Sequence, residues 1–209
     1  MCYTADTSLY TFIIGAMTSL VLIGQTRPDY QIVGGFFFVV SLMQLYDYIF
    51  WTHLPPSELN RQVTRLACLT NYIQPFVLAL LIYRIKKQIS PVAIAFLMAY
   101  ALVIITYLYV SWNKLEYTEV TEKSNGSLEW SWNYQKGYEW VAFFFVLTLA
   151  VLFWKHLQSP LHLYLSIAIV ASFFFSMYKY KIRPIVGRFW CYFAAWVPAV
   201  IIILDKLMR

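Results

Sequence analysis

A chain of 209 residues that is 61% hydrophobic and 20% aromatic but 12% charged lies far from the roughly 25% charged residues of a soluble globular domain. Its 16 Phe, 17 Tyr and 8 Trp exceed what one water-soluble core buries, whereas helices that face lipid and carry aromatic belts accommodate them. The net charge of +6 is spread over short basic clusters between apolar runs, so it points to span-flanking charges that meet lipid head groups, and no nucleic-acid partner is expected.

A membrane-crossing helix needs about 20 mostly apolar residues. Runs of that kind predict spans near 8–24, 30–52, 67–85, 91–112, 138–155, 160–178 and 184–205. The expected fold is therefore an all-α integral membrane protein, a seven-transmembrane-helix bundle forming a single domain over residues 1–209. The start, Met1-Cys2-Tyr3-Thr4-Ala5-Asp6, has no basic n-region, and no A-x-A-like cleavage site follows the first run. That run is expected to be a permanent span rather than a signal peptide.

The breaks carry the expected punctuation: Arg27-Pro28-Asp29, Pro55-Pro56-Ser57, Lys86-Lys87-Gln88 before Pro91, Ser159-Pro160, and Lys179 to Pro184. Proline at a first turn supplies the φ that the helix needs and wastes no amide. Connections this short make neighbouring helices antiparallel.

Residues 113–137 are too polar to span, with Glu116, Glu119, Glu122 and Glu129 among them. The turn signal Ser124-Asn125-Gly126-Ser127 is followed by Leu128, Trp130, Trp132 and Tyr134 alternating with polar residues. This predicts a small β-hairpin cap between the fourth and fifth helices; a disordered loop is the alternative.

With seven spans the two termini lie on opposite sides. Lys and Arg flank the N-terminal side eight times and the C-terminal side seven times, so the positive-inside rule discriminates little. The shorter basic segments of the C-terminal side and the sequon Asn125-Gly126-Ser127 favour an outside N-terminus and a cytoplasmic C-terminus.

Ionisable groups inside spans are rare and face a cavity or a partner. Asp47, Arg188 and Glu139 are of this kind, and all three fall near the N-terminal side. Gln44, Asp47 and Tyr48 share one helix face by their i, i+3 and i+4 spacing, as do Asn71 with Gln74 and Arg188 with Cys191. The expected ligand- or ion-binding set is Asp47, Gln44, Asn71, Gln74, Arg188 and Glu139, with Asp47 and Arg188 at ion-pair distance. The cavity they line is expected to open on the N-terminal side and to close against apolar stretches such as Phe76 to Leu81 and Val200 to Leu204. The alternative is a network that only holds helices together. Pro75 and Pro198 each free a carbonyl one turn earlier, as hinge or as simple kink.

Cys2, Cys68 and Cys191 all map to the N-terminal side and form a candidate thiol site. On an extracellular face two of them can pair, and removal of Met1 would place the Cys2 thiol beside an α-amine. Capped or buried thiols are the alternative. His53, His156 and His162 have no zinc-binding spacing, no G-x-S-x-G or phosphate loop occurs, and Lys206 stands at the exit of the last span; no metal and no cofactor are expected.

The opening Met1-Cys2-Tyr3-Thr4-Ala5 before an apolar run resembles a group of uncharacterised multi-pass proteins of bacteria, algae and large DNA viruses that begin Met-Cys-Phe/Tyr-Ser/Thr-Ala. Their second span similarly carries a Gln and an acidic residue before a Trp, which match Gln44, Asp47 and Trp51; the acidic residue is usually Glu in that group and Asp here. The resemblance implies a membrane protein and draws attention to Cys2 and Asp47, but implies no activity. Three functions stay open: a channel- or carrier-like protein handling an ion, proton or small solute; a receptor-like or structural membrane protein; and a membrane enzyme using Cys2. The lipid bilayer is the expected partner of all three.

Overall fold

The computed structural model describes residues 4–54, 57–120, 128–158, 160–179 and 190–207. Small polar side chains and prolines set the helix starts. Thr4 Oγ1 accepts from the Thr7 amide at 3.1 Å ahead of α1 (Ala5–Ile23). Pro28 and Pro91 occupy the first positions of α2 (Pro28–Thr52) and α4 (Pro91–Ser111). Ser57 Oγ caps α3 (Glu58–Lys86), which Lys87 ends in the left-handed conformation at φ 59. Gly137, at φ 96, precedes α5 (Tyr138–His156), followed by α6 (Leu161–Lys179) and α7 (Trp190–Leu207). Helical bonding in α7 is interrupted at Ala195 and Trp196, because Pro198 offers no N–H to the Ala194 carbonyl.

Six of these seven helices are long and apolar enough to cross a membrane, and α6 carries a shorter apolar stretch, Leu161–Phe175. Met98, Leu102, Ile105, Ile167 and Phe174 point outward, an apolar exterior of the kind that lipid covers. The helices follow the predicted order. The third starts at Glu58 rather than near 67, since its first turns carry Asn60, Arg61, Thr64 and Arg65, which hydropathy scores as loop. Residues 184–189 of the predicted seventh span lie outside the described residues.

α1 buries a stripe of small residues, Ser8, Thr11, Gly15, Ala16 and Ser19, and this lets backbones meet. A Cβ on Gly34 of α2 would stand 2.6 Å from the Ser19 carbonyl oxygen, and one on Gly15 would stand 2.9 Å from that of Ala195. α1 is thus wedged against α2 and α7 without intervening side chains. The central core is aromatic and aliphatic: Phe36 of α2 meets Phe153 of α5 edge to face at 5.4 Å, and Tyr100 of α4 donates to the Tyr72 carbonyl of α3 at 2.8 Å.

Between α4 and α5, β1 (Glu119–Val120) pairs antiparallel with β2 (Leu128–Glu129), Glu119 opposite Glu129 and Val120 opposite Leu128. The predicted hairpin is present as a ladder of two-residue strands. Its turn, with the Asn125 sequon, lies outside the described residues. The expected alternation also gives way after β2: Leu128, Glu129, Trp130 and Trp132 are all buried, and Tyr134 alone of the series is exposed. The segment folds down onto the bundle instead of lying over it.

Candidate functional site: a capped polar layer

The polar first turns of α3 hold the cap. Asn60 Nδ2 donates to the Thr118 carbonyl at 2.8 Å while Asn60 Oδ1 accepts from the Thr118 amide at 3.0 Å, and Thr64 Oγ1 donates to Thr118 Oγ1 at 3.0 Å. All three residues are fully buried, so these bonds are shielded from water. From the other side, Tyr107 Oη of α4 donates to the Trp132 carbonyl. Trp130 and Trp132 stack at 4.8 Å. Trp130 Nε1 then donates to Asp47 Oδ1 at 2.9 Å.

Beneath the indoles lie several of the residues singled out in the sequence. Gln44, Asp47 and Gln74 are fully buried. The Tyr46 Oη to Thr70 Oγ1 contact at 3.1 Å fixes the register of α2 against α3. With a rise of about 1.5 Å per residue, Gln44 and Gln74 then fall within roughly 3 Å of each other in depth. Asn71 is half-buried, and its Oδ1 lies 4.0 Å from Cys191 Sγ of α7, which is itself within electrostatic reach of Asp47. α2, α3, α7 and the cap therefore meet in one layer. Both polar atoms of the Gln74 amide lack a hydrogen-bond partner among the described residues.

Other expected members stand elsewhere. Glu139 is half-buried in the first turn of α5, within electrostatic reach of Tyr107 and Tyr138. Arg188 and Cys2 lie outside the described residues, and with them the expected Asp47–Arg188 ion pair. Cys68 and Cys191 are buried free thiols, so the disulfide open to the cysteines does not join these two. Among the described residues no three His, Cys, Asp or Glu side chains cluster as a metal site.

A second feature, at the C-terminal side, escaped the sequence reading. A cleft of about 1060 Å³ runs between α6 and α7 to the start of α2 and the end of α3. Val200, Ile201 and Leu204, expected to help close the polar cavity, line this separate cleft. Its mouth is charged: Lys86 pairs with Asp29 at 2.6 Å, Arg27 with Asp205 at 3.1 Å, and Tyr30 Oη donates to Asp205 at 2.8 Å. Lys86 also donates to the His156 carbonyl, and the Gln158 amide donates to Asp29 at 2.8 Å. Arg27-Pro28-Asp29 was read in the sequence as a break between spans and Asp205 was not singled out, because nothing local shows that they converge. No family model, curated protein or solved structure matches the chain.

Proposed function

We propose that the protein is a carrier- or channel-like membrane protein that takes a proton, small cation or small polar solute at the Asp47 layer, with the cap between α4 and α5 as its gate. One observation carries this reading: the Asp47 carboxylate is fully buried among apolar helices, and it accepts a hydrogen bond from an indole of the segment between two spans. Ionisable groups inside spans are costly, up to about 2.5–3.5 kcal/mol at a helix centre by insertion scales, and such groups mark ion and proton pathways. The unpartnered Gln74 amide supports the same reading, since an unmet buried amide costs about 1–3 kcal/mol and a water or polar solute would satisfy it. Movement of Trp130 and Trp132 would connect this layer to the N-terminal side, which we place outside.

The bonds from Asp47 to Trp130 and from Asn60 to Thr118 also suit the structural alternative, in which the polar layer only fastens helices and cap. Side-resolved thiol labelling separates the two. In a background without native cysteines, Gln44→Cys and Gln74→Cys are expected to react with a membrane-impermeant maleimide from the N-terminal side, and faster when Trp130→Ala opens the cap. Absence of labelling in both backgrounds would favour the structural reading.

A further inference from the structure

We infer that the cleft between α6 and α7 is a specific site for one anionic phospholipid of the surrounding membrane, its phosphate at the Arg27 mouth and an acyl chain between the two helices. The inference rests on the bilayer-spanning part of the proposed function and not on transport through the Asp47 layer.

The shape follows from how the two helices are joined. Trp190 Nε1 donates to Ser172 Oγ at 2.9 Å, tying the start of α7 to the second half of α6. Toward the C-terminal side the helices part, and the space is walled by Leu161, Leu165, Ala168, Val197, Ile201 and Leu204. Water gains nothing in such a space, whereas a hydrocarbon chain meets its like. The volume of about 1060 Å³ is slightly above that of ordinary small-ligand sites, roughly 300–1,000 Å³, and suits an elongated amphiphile.

The mouth supplies the head-group chemistry. Arg27 is the more exposed partner of its ion pair, its side chain 58% accessible against 18% for Asp205. Among the described residues its hydrogen bonds, to Asp205 and Tyr30, both use Nη1. A guanidinium has five N–H donors in a fixed fork, so Nε and Nη2 remain for a phosphate while Asp205 and Tyr30 hold the group in place. Charge at this end favours an anion. Among the described residues, the helix ends on the side of the C-terminus carry Arg27, Arg84, Lys86, Lys87, Lys155 and Lys206 against Asp29 and Asp205. Each basic residue near an anionic surface contributes about 1 kcal/mol of attraction. Tyr30 and Trp196 line the same cleft, amphipathic side chains suited to the boundary between head group and hydrocarbon.

Native mass spectrometry of the full-length protein in mild detergent tests the inference, with phosphatidylglycerol and phosphatidylcholine of matched chains as probes. One phosphatidylglycerol per chain is expected to be retained, in preference to phosphatidylcholine. Arg27→Gln and Ala168→Trp, both at exposed positions, are each expected to lower its occupancy about tenfold, one by removing the phosphate donor and the other by filling the chain groove. Leu102→Trp on the outer face of α4 is expected to leave occupancy unchanged. Equal retention of both lipids, retention of neither, or phosphatidylglycerol occupancy indifferent to Arg27→Gln and Ala168→Trp would overturn the site. A transport assay that fails while these results hold would refute the Asp47 reading and leave the lipid site standing.

Discussion

The indole N–H of Trp130 donates to the carboxylate of Asp47 across 2.9 Å, joining the segment between α4 and α5 to the last two turns of α2. Neither residue is accessible to solvent to any useful degree, so the bond acts in a medium of low dielectric, where an unmade bond is expensive.

Trp130→Phe keeps an aromatic side chain but loses the N–H donor and part of the buried indole, so a hydrogen-bond share of about 1.5–3 kcal/mol, the range for bonds to charged groups, should add to a packing loss. In an Asp47→Asn background the packing loss remains, and the hydrogen-bond share should fall to nearer 1 kcal/mol, because the acceptor is then neutral. Thermal unfolding of the four proteins of this double-mutant cycle measures the difference. Strict additivity would show that the two side chains do not depend on each other.

Asn60 is the hinge pin of the cap, since it satisfies both the amide and the carbonyl of Thr118. Asn60→Ala should leave the Thr118 carbonyl unmet at about 1–3 kcal/mol and loosen the segment, while the Thr118 amide keeps its bond to Thr64 Oγ1 at 3.1 Å. Limited proteolysis is then expected to cut within 115–137 faster than in the unaltered protein, with the helices still resistant. An unchanged cleavage rate would mean that Thr64 and the tryptophans hold the cap without Asn60.

The α1–α2 contact predicts a graded series at glycine. Gly34→Ala drives a methyl group into the Ser19 carbonyl and the Ile23 amide, at 2.6 and 2.8 Å, so α1 must shift. A loss of about 1–3 kcal/mol is expected, as for overpacking in a core. Gly24→Ala, whose nearest atom would be 3.6 Å away at an ordinary backbone conformation, should be close to neutral. Thermal melts of the two variants that coincide would contradict the close approach.

At the opposite end Lys86 and Asp29 are both largely shielded, with 18% and 14% of their side chains accessible, and each makes a further bond to the α5–α6 junction. Lys86→Met strands the Asp29 carboxylate and is expected to destabilise by about 2 kcal/mol or more, a fall in Tm of roughly 4–8 °C. The exposed pair Arg61–Glu58 is the control: Arg61→Met should move Tm little, because such pairs are screened by water.

Much of this architecture was legible in the residues. Apolar runs broken by Pro28, Pro91 and the Lys86-Lys87 pair place five helices to within a few residues at both ends, and the Ser124 to Ser127 turn with its flanking aromatics marks a hairpin. The start of α3 was not legible, because Asn60 and Thr64 are polar in order to bind the cap, and hydropathy counts only transfer to lipid. The pairing of Gln44 with Gln74 in depth follows from helical spacing alone. That Trp130 reaches Asp47, or Arg27 reaches Asp205, does not: those contacts join segments far apart in the chain and depend on how the helices tilt and part.

Flux across proteoliposomes tests the Asp47 layer most directly, read with a trapped pH dye under a proton gradient and, in parallel, under a potassium gradient. The unaltered protein is expected to pass protons or potassium faster than protein-free liposomes. Asp47→Asn, which keeps an acceptor for the Trp130 N–H, should lower that flux by about tenfold or more, each tenfold corresponding to about 1.4 kcal/mol. Flux equal to that of protein-free liposomes, or equal in the Asp47→Asn variant, would contradict a cation- or proton-handling role.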